Sequence, residues 1–220
     1  MNKIISTLAL VTLTLTGPTF SAAAELDNGE ATHLTFMREE EKLARDVYKT
    51  LQEIYPDVKV FVNIGDGSEQ THTDTVRDML FNYNLPDPNP DANILPESIG
   101  VYTGLDYGWY FTEKYDLLVS WGSQSLLDGL YVGAFIEELD MLDIVGCPKV
   151  IVETDNGIDS GQCGLEYTDE TALQNMYTHL LDGSKDHLRA YVANIEGIIG
   201  AGNYVAQVLP QAEVDAILGR

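Results

Sequence analysis

Four long segments of this chain place apolar residues at alternating steps of three and four, the period of a helix with one buried face. In three of them a glutamate stands where that period asks for an apolar side chain. The first segment, about Thr32 to Tyr55, carries the stripe Leu34, Met37, Glu41, Ala44, Tyr48, Leu51 and Tyr55. The second, about Gly67 to Tyr83, carries Glu69, His72, Val76, Met79 and Tyr83, with Ser68 as a candidate N-cap and Pro86 and Pro88 ending it. A short helix near Thr112 to Trp121 and a break at Gly122-Ser123 precede the third, Ser125 to Val145, with Leu127, Leu130, Ala134, Glu137, Met141 and Ile144. The fourth, about Thr168 to Ile199 and broken at Gly183, turns Leu173, Met176, Leu180, His187, Tyr191, Ile195 and Ile198 inward. Strand-like alternation is weak, and Pro and Gly gather at Asn84 to Gly108 and Gly146 to Gly164. The pattern predicts an all-α fold: a four-helix antiparallel bundle with a long crossover connection between the second and third helices.

A carboxylate taken out of water without a partner costs several kcal/mol or takes up a proton. Three in one interior therefore call for positive charge, which divalent cations supply. Glu69 and His72 form a Glu-x-x-His pair, whose spacing of three puts both on one helical face. Glu137 and Asp140 repeat that spacing, Asp143 continues it, and Gly133 and Ala134 leave room one turn earlier. His187 is the histidine of the last segment; three residues before it stands Ser184, which reads as an N-cap after Gly183. If Glu41, Glu69, Glu137 and Asp140 are ionised, two divalent ions balance them, with His72 and His187 as neutral donors. Each feature also has a plainer reading, since Glu-x-x-His occurs on solvated helix faces and acids favour helix N-termini. Glu40 competes with Glu41, on a stripe with Phe36, Leu43, Val47 and Ile54, and Glu138 competes with Glu137. Glu39 reads as solvent-facing, Arg45 and Arg189 as surface or supporting ion pairs, and His33 and His179 stand without supporting neighbours.

Twelve Lys and Arg against 35 Asp and Glu give a net charge of −23, which repels nucleic-acid phosphates and anionic membrane surfaces. Lys3, the apolar run Ile4 to Leu15 and the small residues Ser21-Ala22-Ala23-Ala24 before Glu25 read as a signal peptide, residues 1–24. Polar and proline interruptions argue against a membrane span there, so residues 25–220 are expected as one helical domain, secreted or periplasmic. In that oxidising setting Cys147 and Cys163 are expected to close a loop. The stretch Asp155 to Gly161 departs from the EF-hand order and reads as a turn. No hydrolase triad, phosphate loop or nucleotide motif is present.

Together, Met37 to Tyr48, Ser68 to His72, Val132 to Ile144 and Gly183 to Tyr191 resemble the ferritin-like superfamily, which includes rubrerythrins. The resemblance is closer still to a ferritin-like domain family without an assigned biochemical function, and covers most of residues 25–220. It implies a ferritin-like four-helix bundle, and it favours Glu41 over Glu40 because Ala44, Arg45 and Tyr48 follow three, four and seven residues later. It sets Glu69 and His72 on the Glu-x-x-His of the second helix, Glu137 with Asp140 on the paired acids of the third, and His187 on the terminal-helix histidine. Ser184 departs from the pattern, standing where metal-binding relatives carry a glutamate, so either Asp140 compensates or one metal is lost. The implied cofactor is one or two divalent ions, iron or manganese, with zinc also suited to the donors. Two functions follow: a metal-dependent oxidoreductase whose substrate is a small oxidant, oxygen or peroxide, with Tyr48 within electron-transfer reach, or a non-catalytic bundle that binds a partner or stores a cation at a degenerate site. Assembly as a homo-oligomer is compatible with either.

Overall fold

The structure, a computed structural model, describes residues 25–154 and 156–220, and the expected signal peptide lies outside the described residues. The chain is all-helical, with no strand among the described residues. Helix α1, Asn28–Ile54, starts ahead of the predicted Thr32 because Asp27 caps it. Asp27 Oδ1 accepts from the Glu30 amide at 2.9 Å, and Glu30 Oε2 accepts from the Asp27 amide at 3.1 Å. Such a reciprocal cap satisfies two end donors at once.

The second long helix also begins early. Helix α2, Lys59–Val62, passes into a π-helical segment, Asn63–Glu69, and on into α3, Gln70–Asn82. Ser68 thus lies inside a helix and is not an N-cap. The inward residues Ile64 and Glu69 stand five apart, a step that a search for threes and fours does not register. Helix α4, Gly108–Gly122, precedes α5, Leu126–Val145, whose N-cap Ser125 accepts from the Asp128 amide at 3.1 Å. Helix α6, Lys149–Glu153, sits in the loop closed by the Cys147–Cys163 disulfide, and α8 is Gln211–Leu218. In the same loop the Asn156 side chain accepts from the Ile158 amide at 3.1 Å, a turn as expected there.

Helix α7, Thr171–Ile199, is continuous through Gly183, contrary to the expected break. Ser184 is likewise not an N-cap: its hydroxyl is shared between Leu180 O, at 3.0 Å, and the Asp140 carboxyl. Helix α5 packs along α7, α3 touches α7, and α1 packs against α3, α4 and α5. Helices α1, α3, α7 and α5 therefore form a closed ring.

Helix α1 departs most from a one-faced helix. Every residue from Phe36 to Tyr48 is buried, including Arg38, Glu39, Glu40, Glu41, Lys42, Arg45 and Asp46. The cover on its outer side is the helix-free crossover, residues 83–107, together with α4. Arg38 donates to both Asp87 oxygens at 3.0 Å and to Thr73 O at 3.1 Å. Arg45 donates to Asp46 Oδ1 at 2.8 Å and to Ala92 O at 2.9 Å, and Lys42 donates to Asp46 and, at 2.8 Å, to Ser98 O. Buried charges persist only when paired and hydrogen-bonded, and here the pairing is what fixes the crossover. Glu39, expected to face solvent, is fully buried: Asn89 Nδ2 donates to it at 3.3 Å, and a Cβ on Gly104 would lie 2.4 Å from its Oε1. Burial raises its pKa to about 7.

Candidate metal centre

Within the ring, the π-helical turn ends at Glu69, which faces α1 and α7, and one helical turn later His72 follows on the same face. His72 Nδ1 lies 3.3 Å from Glu41 Oε2 and 3.4 Å from Glu69 Oε2. His187 Nδ1, from α7, lies 2.8 Å from Glu69 Oε1 and 3.3 Å from Glu137 Oε2. Two groups that could hold a metal result, Glu41–Glu69–His72 and Glu69–Glu137–His187, all their members buried. Each Nδ1 faces two carboxylates, and Glu69 belongs to both groups through different oxygens. The two imidazole rings lie 5.5 Å apart.

Asp140 occupies the same interior but belongs to neither group; one oxygen accepts from Ser184 and the other, Oδ1, is buried without a partner. Tyr48 donates to Glu137 Oε1 at 2.6 Å, fixing that carboxylate while its other oxygen meets His187. Ser68 Oγ stands 3.5 Å from His72 Nε2, the ring nitrogen that faces away from the carboxylates. A cavity of about 500 Å³ opens over both histidines, lined by Gly67, Ser68, Thr71 and Gly183, and gives small solutes a way in.

Among the described residues no lysine or arginine pairs with these four acids; Arg45 turns to Asp46 and the crossover instead. In the protein without an ion, protons supply the missing charge. Burial disfavours the charged imidazoles, but Glu69 and Glu41 outweigh it and push His72 up to about 12; Glu137 and Glu69 push His187 up to about 11. Burial works against the Glu69 carboxylate too, yet the two histidines hold its pKa below the usual range. Burial lifts Glu41 to about 7 and raises Glu137, and burial with the neighbouring Glu41 and Glu137 raises Asp140 well above its ordinary value. The donor set fits a divalent cation on this chemistry. It is mixed oxygen and imidazole nitrogen, its charge is otherwise met only by protons, and Glu41 Oε1 is buried without a partner.

The competing acids lie elsewhere. Glu40 faces Asp143 and the α4 side. Glu138 accepts from the amides of Gln207 at 2.9 Å, Val208 at 2.6 Å and Leu209 at 2.9 Å, and from Tyr204, so it clasps the segment before α8. His33 is not isolated, since its nitrogens meet the Tyr177 hydroxyl and Asp143 O, each at 2.8 Å, and burial lowers its pKa to about 4. His179 stands by its ring 5.7 Å from that of His72.

Gly183, expected as a helix break, has its role at this site. A Cβ there would fall 2.5 Å from His72 Cε1 and 2.7 Å from its Nε2, so the glycine is clearance for the imidazole. Glycine inside a helix costs about 1 kcal/mol against alanine, which makes one in the middle of a periodic segment a signal of close approach. Gly183→Ala is expected to leave helix content intact by circular dichroism while displacing the His72 imidazole from Glu41 and Glu69, which a shift of its NMR signals reads. An unmoved imidazole would contradict this role.

Residues 30–220 match the family described as "Uncharacterized protein domain (DUF2202)". The chain is 38% identical over 182 residues to uncharacterized protein MJ0754 of Methanocaldococcus jannaschii, covering 83% of this chain and 82% of that protein. It is also similar to the crystal structure of hypothetical protein MJ0754 from Methanococcus jannaschii. The TM-score is 0.66 at 37% identity, over 86% of this chain and 91% of the other. With a match of that extent, the chain belongs to the DUF2202 family.

Proposed function

We propose that this is a ferritin-like protein that binds a pair of divalent ions, iron or manganese, through Glu41, Glu69, His72, Glu137 and His187, with Asp140 as a neighbouring acid, and acts on oxygen or peroxide. The observation that carries this reading is the division of Glu69 between two histidines, Oε1 towards His187 and Oε2 towards His72. Ring packing of α1, α3, α7 and α5, with a long crossover between α3 and α5, supports the ferritin-like assignment. When bound, such ions supply one-electron chemistry towards a small oxidant. The protein's part is to hold five donors in a dry interior, to admit the oxidant past Gly67 and Thr71, and to place the Tyr48 hydroxyl on Glu137. Burial raises the Tyr48 pKa, so its proton stays in place as a hydrogen source. The Cys147–Cys163 disulfide supports an exported, oxidising location for this chemistry.

Calorimetric titration of chelator-treated protein with Mn(II) in two buffers of different ionisation heat tests the binding. Both histidines are charged at pH 7 without metal and must be neutral to ligate, so saturation is expected to release about two protons or more. Affinity accordingly falls as the pH falls. A thermal midpoint indifferent to iron, manganese, zinc and chelator would remove the metal reading. Metal binding without peroxide turnover would leave a cation-storing bundle, the reading favoured by Ser184 in place of a further acid.

A further inference from the structure

Past its first turn, α5 presents no charge to water. From Tyr131 to Val145 the residues that are not buried are Tyr131, Phe135, Leu139, Leu142 and Val145, at steps of four, four, three and three. The acids of the same stretch, Glu137, Glu138, Asp140 and Asp143, are all buried on its other sides. Alongside this stripe α4 lays Tyr110, Lys114, Leu117 and Trp121, and the Trp121 and Phe135 rings meet edge to face at 5.9 Å. A cavity of about 460 Å³ lies between the two rows, and Leu117 and Leu142 project beside it, 55% and 49% exposed. Twenty residues of α5 at about 1.5 Å each, and two helices about 10 Å across, make a face of about 30 by 20 Å. That is the scale of a stable contact, which takes roughly 800 Å² of accessible surface from each partner.

An apolar face of this extent marks a contact with another molecule. We propose that two copies of this chain pair through it, α4 and α5 of one against α4 and α5 of the other about a two-fold axis. Charge selects this partner. With 35 Asp and Glu against 12 Lys and Arg, two copies repel wherever their acids meet, and the stripe keeps acids out of the contact. The same charge repels an anionic membrane surface, and a small molecule in the cavity would leave Tyr131, Leu142 and Val145 uncovered. The rim carries both signs. Lys114, half-buried with Nζ 5.0 Å from the centre of the Tyr110 ring, is in no ion pair among the described residues, while Glu113 and Asp116 are exposed on either side of it. A two-fold contact makes such a rim complementary to itself, one copy's lysine to the other's acids. Shape follows the same rule, since each copy offers projecting leucines and a cavity to receive them.

Sedimentation equilibrium across the micromolar range is the test. The protein is expected at twice its chain mass, with a Kd in the micromolar range or tighter, and paired more tightly in about 0.5 M than in about 0.05 M salt, because screening weakens the repulsion between acids. Leu142→Glu and Leu117→Glu each place a charge in the contact and are expected to raise Kd by about tenfold or more. Phe81→Glu, at an 80% exposed residue of α3, which packs on α1 and α7, is expected to leave it unchanged. Circular dichroism identifies the folded variants, and either leucine variant carries the test if the other does not fold. A monomer throughout the range overturns the proposal. So does a dimer that the folded leucine variants form as tightly as the unchanged protein, that Phe81→Glu breaks equally, or that added salt dissolves.

Discussion

Glu69→Gln is expected to abolish binding of both ions in one step. The unchanged protein, with metal at a thousandfold excess over Kd, gains about 4 kcal/mol of unfolding free energy per ion, and the variant gains nothing measurable. The reason is geometric: each Nδ1 that could ligate faces one private carboxylate, Glu41 or Glu137, and the shared Glu69. Removing a private acid is a weaker lesion. Glu41→Gln is expected to leave one ion per chain, held by Glu69, Glu137 and His187. Metal content by mass spectrometry and thermal midpoints with and without Mn(II) measure both variants. A Glu69→Gln protein that still binds one ion per chain would show that the two groups are independent.

Asp46→Ala is expected to cost about 3–5 kcal/mol, a large part of the 5–15 kcal/mol typical of a domain. Asp46 is the sole acid shared by Lys42 and Arg45, all three with fully buried side chains, and it also accepts from the Gly100 amide at 3.0 Å. Truncation strands two cations in the interior and releases the crossover that covers them. Urea denaturation reads the loss, and limited proteolysis is expected to cut first between residues 83 and 107. Asp46 is not among the site's donors, so the folded fraction keeps its metal stoichiometry. A loss under 1 kcal/mol would mean that the crossover is held by its apolar contacts instead.

Those two lesions mark what a sequence reveals and what it hides. Glu41, Glu69, His72, Glu137 and His187 were legible because an acid or imidazole on an apolar stripe conflicts with its surroundings, and the structure gathers these five in one interior. The charges of Arg38, Lys42, Arg45 and Asp46 raise no such alarm, since at spacings of three and four they read as a solvated face. Their burial depends on a segment some fifty positions later, in Asp87, Ala92 and Ser98, and local period carries no record of that contact. Glu39 was misplaced for the same reason. Ser184 was read from its neighbour Gly183 as a cap, whereas both serve the site across helices, one towards Asp140 and one as space for His72. The all-helical class was legible throughout, as were the ends of the third long helix and the C-terminal ends of the others. The starts of α1 and of the second long helix were not, because Asp27 and the π-helical turn set them.

That wide turn makes the orientation of Glu69 and His72 a matter of rotational phase. Each residue of an α-helix advances about 100° around the axis. The five-residue step from Ile64 to Glu69 lets the stripe of Val60, Phe61 and Ile64 and the stripe of Glu69, His72 and Val76 both point inward. Ordinary α-helical winding over the same five residues would put Glu69 about 140° around the axis from Ile64 and swing carboxylate and imidazole together out of the interior. The wide turn works as a dial setting, and it sets both side chains at once.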